Sequence, residues 1–147
     1  VRMKRWLVFV SCLLALCGGL FAALHVLSRL PSGPVPIIWD KEACAHCHMY
    51  VGEPRFAAQL QTKQGDILNF DDPGCLLQYR GQRKPDVHAI YFHDLENDRW
   101  LKEAEVGFVP VDPTPMGYNL GAVPKHTPSA LSMSEASQVV LSKGTKP

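Results

Sequence analysis

Residues 6–27, WLVFVSCLLALCGGLFAALHVL, are an uncharged apolar run of 22 residues, and this run restricts the folding options of the chain most. As a helix rising about 1.5 Å per residue, it is long enough for a bilayer core of roughly 30 Å. Met3-Lys4-Arg5 stand in front of it, so the positive-inside rule keeps the N-terminus cytoplasmic and exports the residues after Leu30. A cleaved secretory signal competes with this reading, but Leu24-His25-Val26-Leu27 offers no small-x-small exit. Lipid attachment at Cys17 is a third route, opposed by the bulky Leu16 before it. All three place the rest of the chain outside the cytoplasm. The expected form is an uncleaved transmembrane anchor over residues 1–30.

Charge follows the same division. Four of the 15 basic residues lie in the first 30 positions and all 14 acidic ones from Asp40 onward, so the remainder carries a net charge of −3. The whole chain, at +1, is too weakly basic to bind nucleic acid by neutralising phosphates. With 46% apolar and 20% charged residues it is neither disordered nor low-complexity, and 147 residues allow one ordinary domain. PSGPVPI at 31–37 reads as a Pro/Gly linker, which leaves 38–147 as the extracytoplasmic domain.

Within that domain, residues 56–62 and 66–70 flank Lys63-Gln64-Gly65 and predict a β-hairpin. Asp72-Pro73 supplies an N-cap and a proline at the first helical position, which starts a short helix with Gly81 as its stop. Residues 89–93 read as the next strand. The second half offers strand material or a short helix over 99–111 leading to a strand at 107–109, a strand over 116–123, and a capping box, Ser132-Met133-Ser134-Glu135, ahead of a helix that Gly144 would stop. The fold class is therefore α+β, two ββα units with antiparallel pairing packed together and preceded by one transmembrane helix.

The chemistry concentrates in sulfur. Cys44, Cys47 and Cys75 are the cysteines beyond the leader, an odd number for a compartment that oxidises thiols. Cys44-Ala45-His46-Cys47-His48-Met49 gathers two thiols, two imidazoles and a thioether in six residues. Structural zinc takes four Cys or His ligands, usually with a second pair that this chain lacks. Thiolate and thioether together suit soft Cu(I). A structural disulfide or a redox pair at Cys44 and Cys47 is the competing reading, although Met49-Tyr50-Val51 is strand-like rather than the helix start a thioredoxin-type pair needs. Cys75 falls in the first turn of the short helix, where the N-terminal field favours thiolate, or is simply a buried thiol. Met116 lies beside Gly117, where backbone can approach closely. His93, on an aromatic strand, reads as a hydrogen-bonded residue and not a ligand. No Ser-His-Asp array, P-loop or GxGxxG is present, and no catalysis is expected.

Five pieces in order resemble the NosL family of extracytoplasmic copper chaperones that serve nitrous oxide reductase. They are Cys44-x-x-Cys47-x-Met49, Phe56-Ala57-Ala58-Gln59-Leu60, Phe70-Asp71-Asp72-x-x-Cys75, Tyr91-Phe92-His93-Asp94 with Trp100, and Pro115-Met116-Gly117-Tyr118 leading into Ala122-Val123. The resemblance implies two small ββαβ-type units packed together and Cu(I) held by Cys44, Cys47, Met49, Cys75 and Met116, with Cys75 and Met116 as a shared site and the CxxCxM segment as a second donor set or entry point. It also implies delivery of copper to nitrous oxide reductase or its assembly factors in the periplasm. Two features depart from the family. His48 stands where it usually has glycine, and the leader looks like a spanning helix where the family is commonly lipid-anchored.

Overall fold

The structure, a computed structural model, describes residues 2–27 and 30–143, with side chains of the first helix described at Trp6 and 10–24. Gly144, the expected stop of the last helix, lies outside these residues, as do residues 1, 28 and 29 and the side chains of Met3-Lys4-Arg5. The chain divides into two units, residues 1–31 and 32–147.

The first unit is helix α1, Arg2–Leu27. Its described side chains are exposed, Leu16 and Phe21 at 72% and 73%. The structure gives the transmembrane assignment no support. Among the described residues, no helix is long and apolar enough to cross a membrane.

The second unit is mixed α+β. A 3-10 turn at Pro54–Phe56 leads into β1 (Ala58–Thr62), β2 (Ile67–Phe70), α2 (Pro73–Arg83), β3 (Val87–His93), β4 (Trp100–Lys102), β5 (Val106–Pro110), β6 (Leu120–Pro124) and α3 (Met133–Lys143). One antiparallel sheet runs β2-β1-β3-β4 and a second pairs β5 with β6. The expected hairpin closes with Leu60 opposite Leu68, through a turn in which Gly65 takes a φ of 97°. β1, β2, α2 and β3 thus make the expected ββαβ unit. The second half departs from it: β4 joins the first sheet, leaving β5, β6 and α3 as a ββα unit without a fourth strand among the described residues. Phe92 of β3 meets Phe108 of β5 edge-to-face at 5.1 Å, which joins the two sheets in one core.

Three boundaries moved for local reasons. Helix α2 starts as expected, the Asp72 carboxylate accepting from Gly74 N–H at 2.8 Å, but runs past Gly81 to Arg83. Lys84 ends it in the left-handed region at φ 47°, and Pro85 behind it disfavours a further helical residue. Strand β6 begins at Leu120, not at Met116, because Gly117 and Asn119 take φ of 70° and 60° and turn the chain. Residues 49–51 form only an isolated bridge, Ala43 to Tyr50. The capping box forms as expected: Ser132 N–H donates to the Glu135 carboxylate at 2.7 Å, and Glu135 N–H to Ser132 Oγ at 3.3 Å. Part of the Pro/Gly stretch is tied to β1, since Gln59 exchanges two hydrogen bonds with Val35 and Gln61 donates to the Gly33 carbonyl.

Candidate metal centre

The segment from Cys44 to Met49 is a closed loop. Cys44 N–H donates to the Met49 carbonyl at 2.8 Å, and His48 N–H donates to the Cys44 carbonyl at 3.0 Å. Such a tight return needs one residue in the left-handed region, and His48 takes it at φ 64°. Histidine adopts that conformation more readily than most residues, though glycine does so without strain. The imidazole is exposed. The loop is fastened to β2 through Ala45 N–H on the Asn69 carbonyl at 2.9 Å and through Asn69 on the Glu42 carboxylate. Immediately after β2, the Asp71 carboxylate accepts from Gly52 N–H at 3.1 Å. The loop therefore lies against the turn from which α2 starts.

That placement brings the three thiols together. The sulfurs of Cys44, Cys47 and Cys75 all lie within 4.8 Å of one another, and none is in a disulfide. Cys44 and Cys75 are fully buried; Cys47 is partly exposed and forms the open side. The Cys44 thiol is pulled down to about 4, first by the Cys75 thiol donating to it and further by the N–H groups of Cys47, Asp71 and His46, against the effect of burial. Cys75 moves up for the converse reason, donating to Cys44 in a buried setting. Burial raises Cys47 too, opposed by the N–H of Met49. The result is one thiolate held by the Cys75 thiol and by backbone N–H groups, with two neutral thiols beside it. Three sulfurs each about 2.3 Å from a single ion stand roughly 4 Å apart. The group can hold a metal ion, and an all-sulfur donor set suits a soft one.

The five sulfur residues read from the sequence separate into a cluster and a rim. The cysteines are one group, with Cys75 joined to the CxxC loop in place of a site apart from it. The methionines stand at the surface, Met49 59% and Met116 38% exposed, and each is tied to the cluster's surroundings by its backbone. Met49 closes the loop, while Met116 N–H donates to the Asp72 carboxylate at 3.1 Å. His93 is a buried strand residue hydrogen-bonded to the Asp94 carbonyl and Asp98, and is stacked edge-on against Trp100.

One neighbour of the cluster escaped the sequence reading. Tyr118 packs its ring on Gly74, where a Cβ would come within 2.0 Å of the ring. Its hydroxyl is pushed up to about 12, by burial first and then by the acidic groups clustered around it, the three thiols and Asp72. Glycine in the first turn of a helix, next to a cysteine, is the signal that could have found it, because it marks a close approach.

A search of solved structures places the architecture. The crystal structure of the copper chaperone NosL from Shewanella denitrificans matches at a TM-score of 0.52 and 18% identity, over 77% of this chain and 89% of that one. This chain has a NosL-like fold. No family model matches its sequence, and no curated protein matches it by sequence. The NosL-like likeness is one of fold, and the three-cysteine cluster is read from this chain's own residues.

Proposed function

We propose that this chain is a membrane-anchored, extracytoplasmic Cu(I)-binding protein, a chaperone without catalysis that passes copper to nitrous oxide reductase or its assembly factors. The observation that carries the copper reading is the convergence of the Cys44, Cys47 and Cys75 sulfurs within 4.8 Å. Buried thiols hold the ion, and the partly exposed Cys47 with Met49 and Met116 forms the face where an acceptor replaces ligands one at a time. A monovalent soft ion tolerates two or three ligands, so it crosses from donor to acceptor without being released to water. The resemblance and the NosL-like fold support copper as the cargo and the reductase as destination. The uncharged run Trp6–Leu27 behind Lys4-Arg5 supports the anchor and the periplasmic side.

Anaerobic Cu(I) titration against a chromophoric competitor tests the copper reading. One tight equivalent is expected, lost in Cys75→Ser and weakened in Met116→Leu. A chain that binds no Cu(I) but exchanges its Cys44–Cys47 pair with a redox buffer at the potential of a known oxidoreductase would instead be a thiol-disulfide protein. Alkaline extraction of membranes tests the anchor: the chain should stay in the pellet, and its release would remove the spanning helix from the proposal.

A further inference from the structure

The loop that carries Met116 is fastened to the start of α2 at several points, and Asp72 is the centre of the fastening. Asp72 is fully buried, and its carboxylate does two things at once. One oxygen caps α2 by accepting from Gly74 N–H at 2.8 Å. The other accepts from Met116 N–H at 3.1 Å, and the Thr114 hydroxyl also donates to this carboxylate. Thr114 organises the loop internally, its oxygens accepting from Asn119 N–H at 3.1 Å and Gly117 N–H at 3.1 Å. Tyr118 presses on Gly74, and Lys143 at the end of α3 donates to the Tyr118 carbonyl at 3.0 Å. Cys75, one residue beyond Gly74, is therefore held at fixed separation from the backbone of Met116.

Helix capping accounts for one carboxylate oxygen only. A cap needs a single acceptor, which asparagine or serine supplies as well. The second oxygen reaches across 44 positions of sequence to one backbone N–H, that of the exposed methionine. Resting on the copper reading above, we propose that Asp72 is a positioning residue of the metal site: it pins the Met116 loop to the helix turn bearing Cys75, and so keeps the Met116 thioether beside the three thiols as an exchangeable fourth donor. Preorganising a ligand on a mobile side chain removes most of the ordering entropy that its binding would otherwise oppose.

The test is a double-mutant cycle on Cu(I) affinity in the 147-residue chain, with Asp72→Asn, Met116→Leu and both together, and X-ray absorption counting sulfurs at the metal. Asparagine keeps an oxygen for the Gly74 cap but leaves Met116 N–H without a carboxylate. Asp72→Asn is expected to weaken Cu(I) roughly tenfold, as for loss of one charge-assisted hydrogen bond. Met116→Leu should do about the same, the pair no more than either alone, and each should lose one sulfur from the metal. Affinity unchanged in Asp72→Asn, or losses that multiply in the double variant, overturns the proposal and leaves the thiol cluster's copper binding standing. Unchanged affinity in Met116→Leu overturns it by removing the donor, whereas a parent chain that takes no Cu(I) overturns the copper reading itself. Should Asp72→Asn fail to fold, Thr114→Val cuts the other attachment with the cap intact, and full affinity there overturns the proposal equally.

Discussion

At the scale of single residues, the site depends on what is small or strained as much as on what binds. Gly74 has no side chain because Tyr118 occupies that space: a Cβ would meet Cγ of the ring at 2.0 Å and Cβ of Tyr118 at 2.4 Å. These atoms are the root of the tyrosine and cannot swing aside, so Gly74→Ala must push the whole 114–118 loop off the helix. Overpacking of this kind costs about 3 kcal/mol. Urea denaturation should show it, and a Gly74→Ala chain as stable as the parent would mean that the loop is not held there. The sulfur residues were legible one at a time, from donor type and from CxxCxM spacing. Their grouping was not. Cys75 looked like half of a separate site with Met116 because nothing in the order of residues says that the loop at 44–49 folds onto the end of β2. That contact is made by Asn69 and Asp71, whose side chains and main chain carry no metal-site pattern.

At the scale of elements, the first ββαβ unit was the readable one. Asp72-Pro73 marked the start of α2, the Gly65 turn marked the hairpin, and Ser132 to Glu135 marked α3, because each signal is local. The stop of α2 was misread because glycine has two uses. Gly81 lies inside the helix facing α3, with the tip of Leu141 where its Cβ would be, at 2.8 Å. Lys84 and Pro85 end the helix instead. The two roles predict opposite results for Gly81→Ala. At a left-handed stop alanine would be strained, whereas inside a helix it gains up to about 1 kcal/mol over glycine. The methyl of Leu141 that it meets belongs to a residue 38% exposed, which can rotate outward. Gly81→Ala is therefore expected to raise stability by roughly 0.5 kcal/mol, measured as a shift of the urea midpoint at constant slope. A loss above about 1 kcal/mol would show that α2 and α3 cannot adjust at this crossing. The second half was harder to read because β4 crosses to the first sheet, a choice made by pairing with β3 and not by any pattern within Trp100–Lys102.

At the scale of the whole molecule, the relation between metal and fold separates this chain from small zinc modules that are unfolded until loaded. The unit from residue 32 onward has its own core, built on Phe56, Leu60, Phe70, Phe92 and Phe108, all fully buried. The CxxC loop is already fixed by the Ala45 N–H bond to the Asn69 carbonyl and by the Asp71 contact with Gly52, with no metal needed to make them. The metal-free chain should then be folded, with its circular dichroism unchanged on adding Cu(I). On the proposed copper reading, the ion adds a bridge between the loop at 44–47 and the first turn of α2, made only in the native state. At free Cu(I) a thousandfold above the dissociation constant, this linkage amounts to about 4 kcal/mol. Denaturation in a Cys12→Ser, Cys17→Ser background, which removes the thiols of α1, should show that rise. Cys75→Ser should lose most of it, because the remaining pair lies within a single loop and bridges nothing. If the metal-free chain proves unfolded, or if Cys75→Ser is stabilised as much as its parent, then the ion does not join the two segments. The proposed chaperone role fits this arrangement: a scaffold that keeps its shape when empty gives up its cargo without the cost of unfolding.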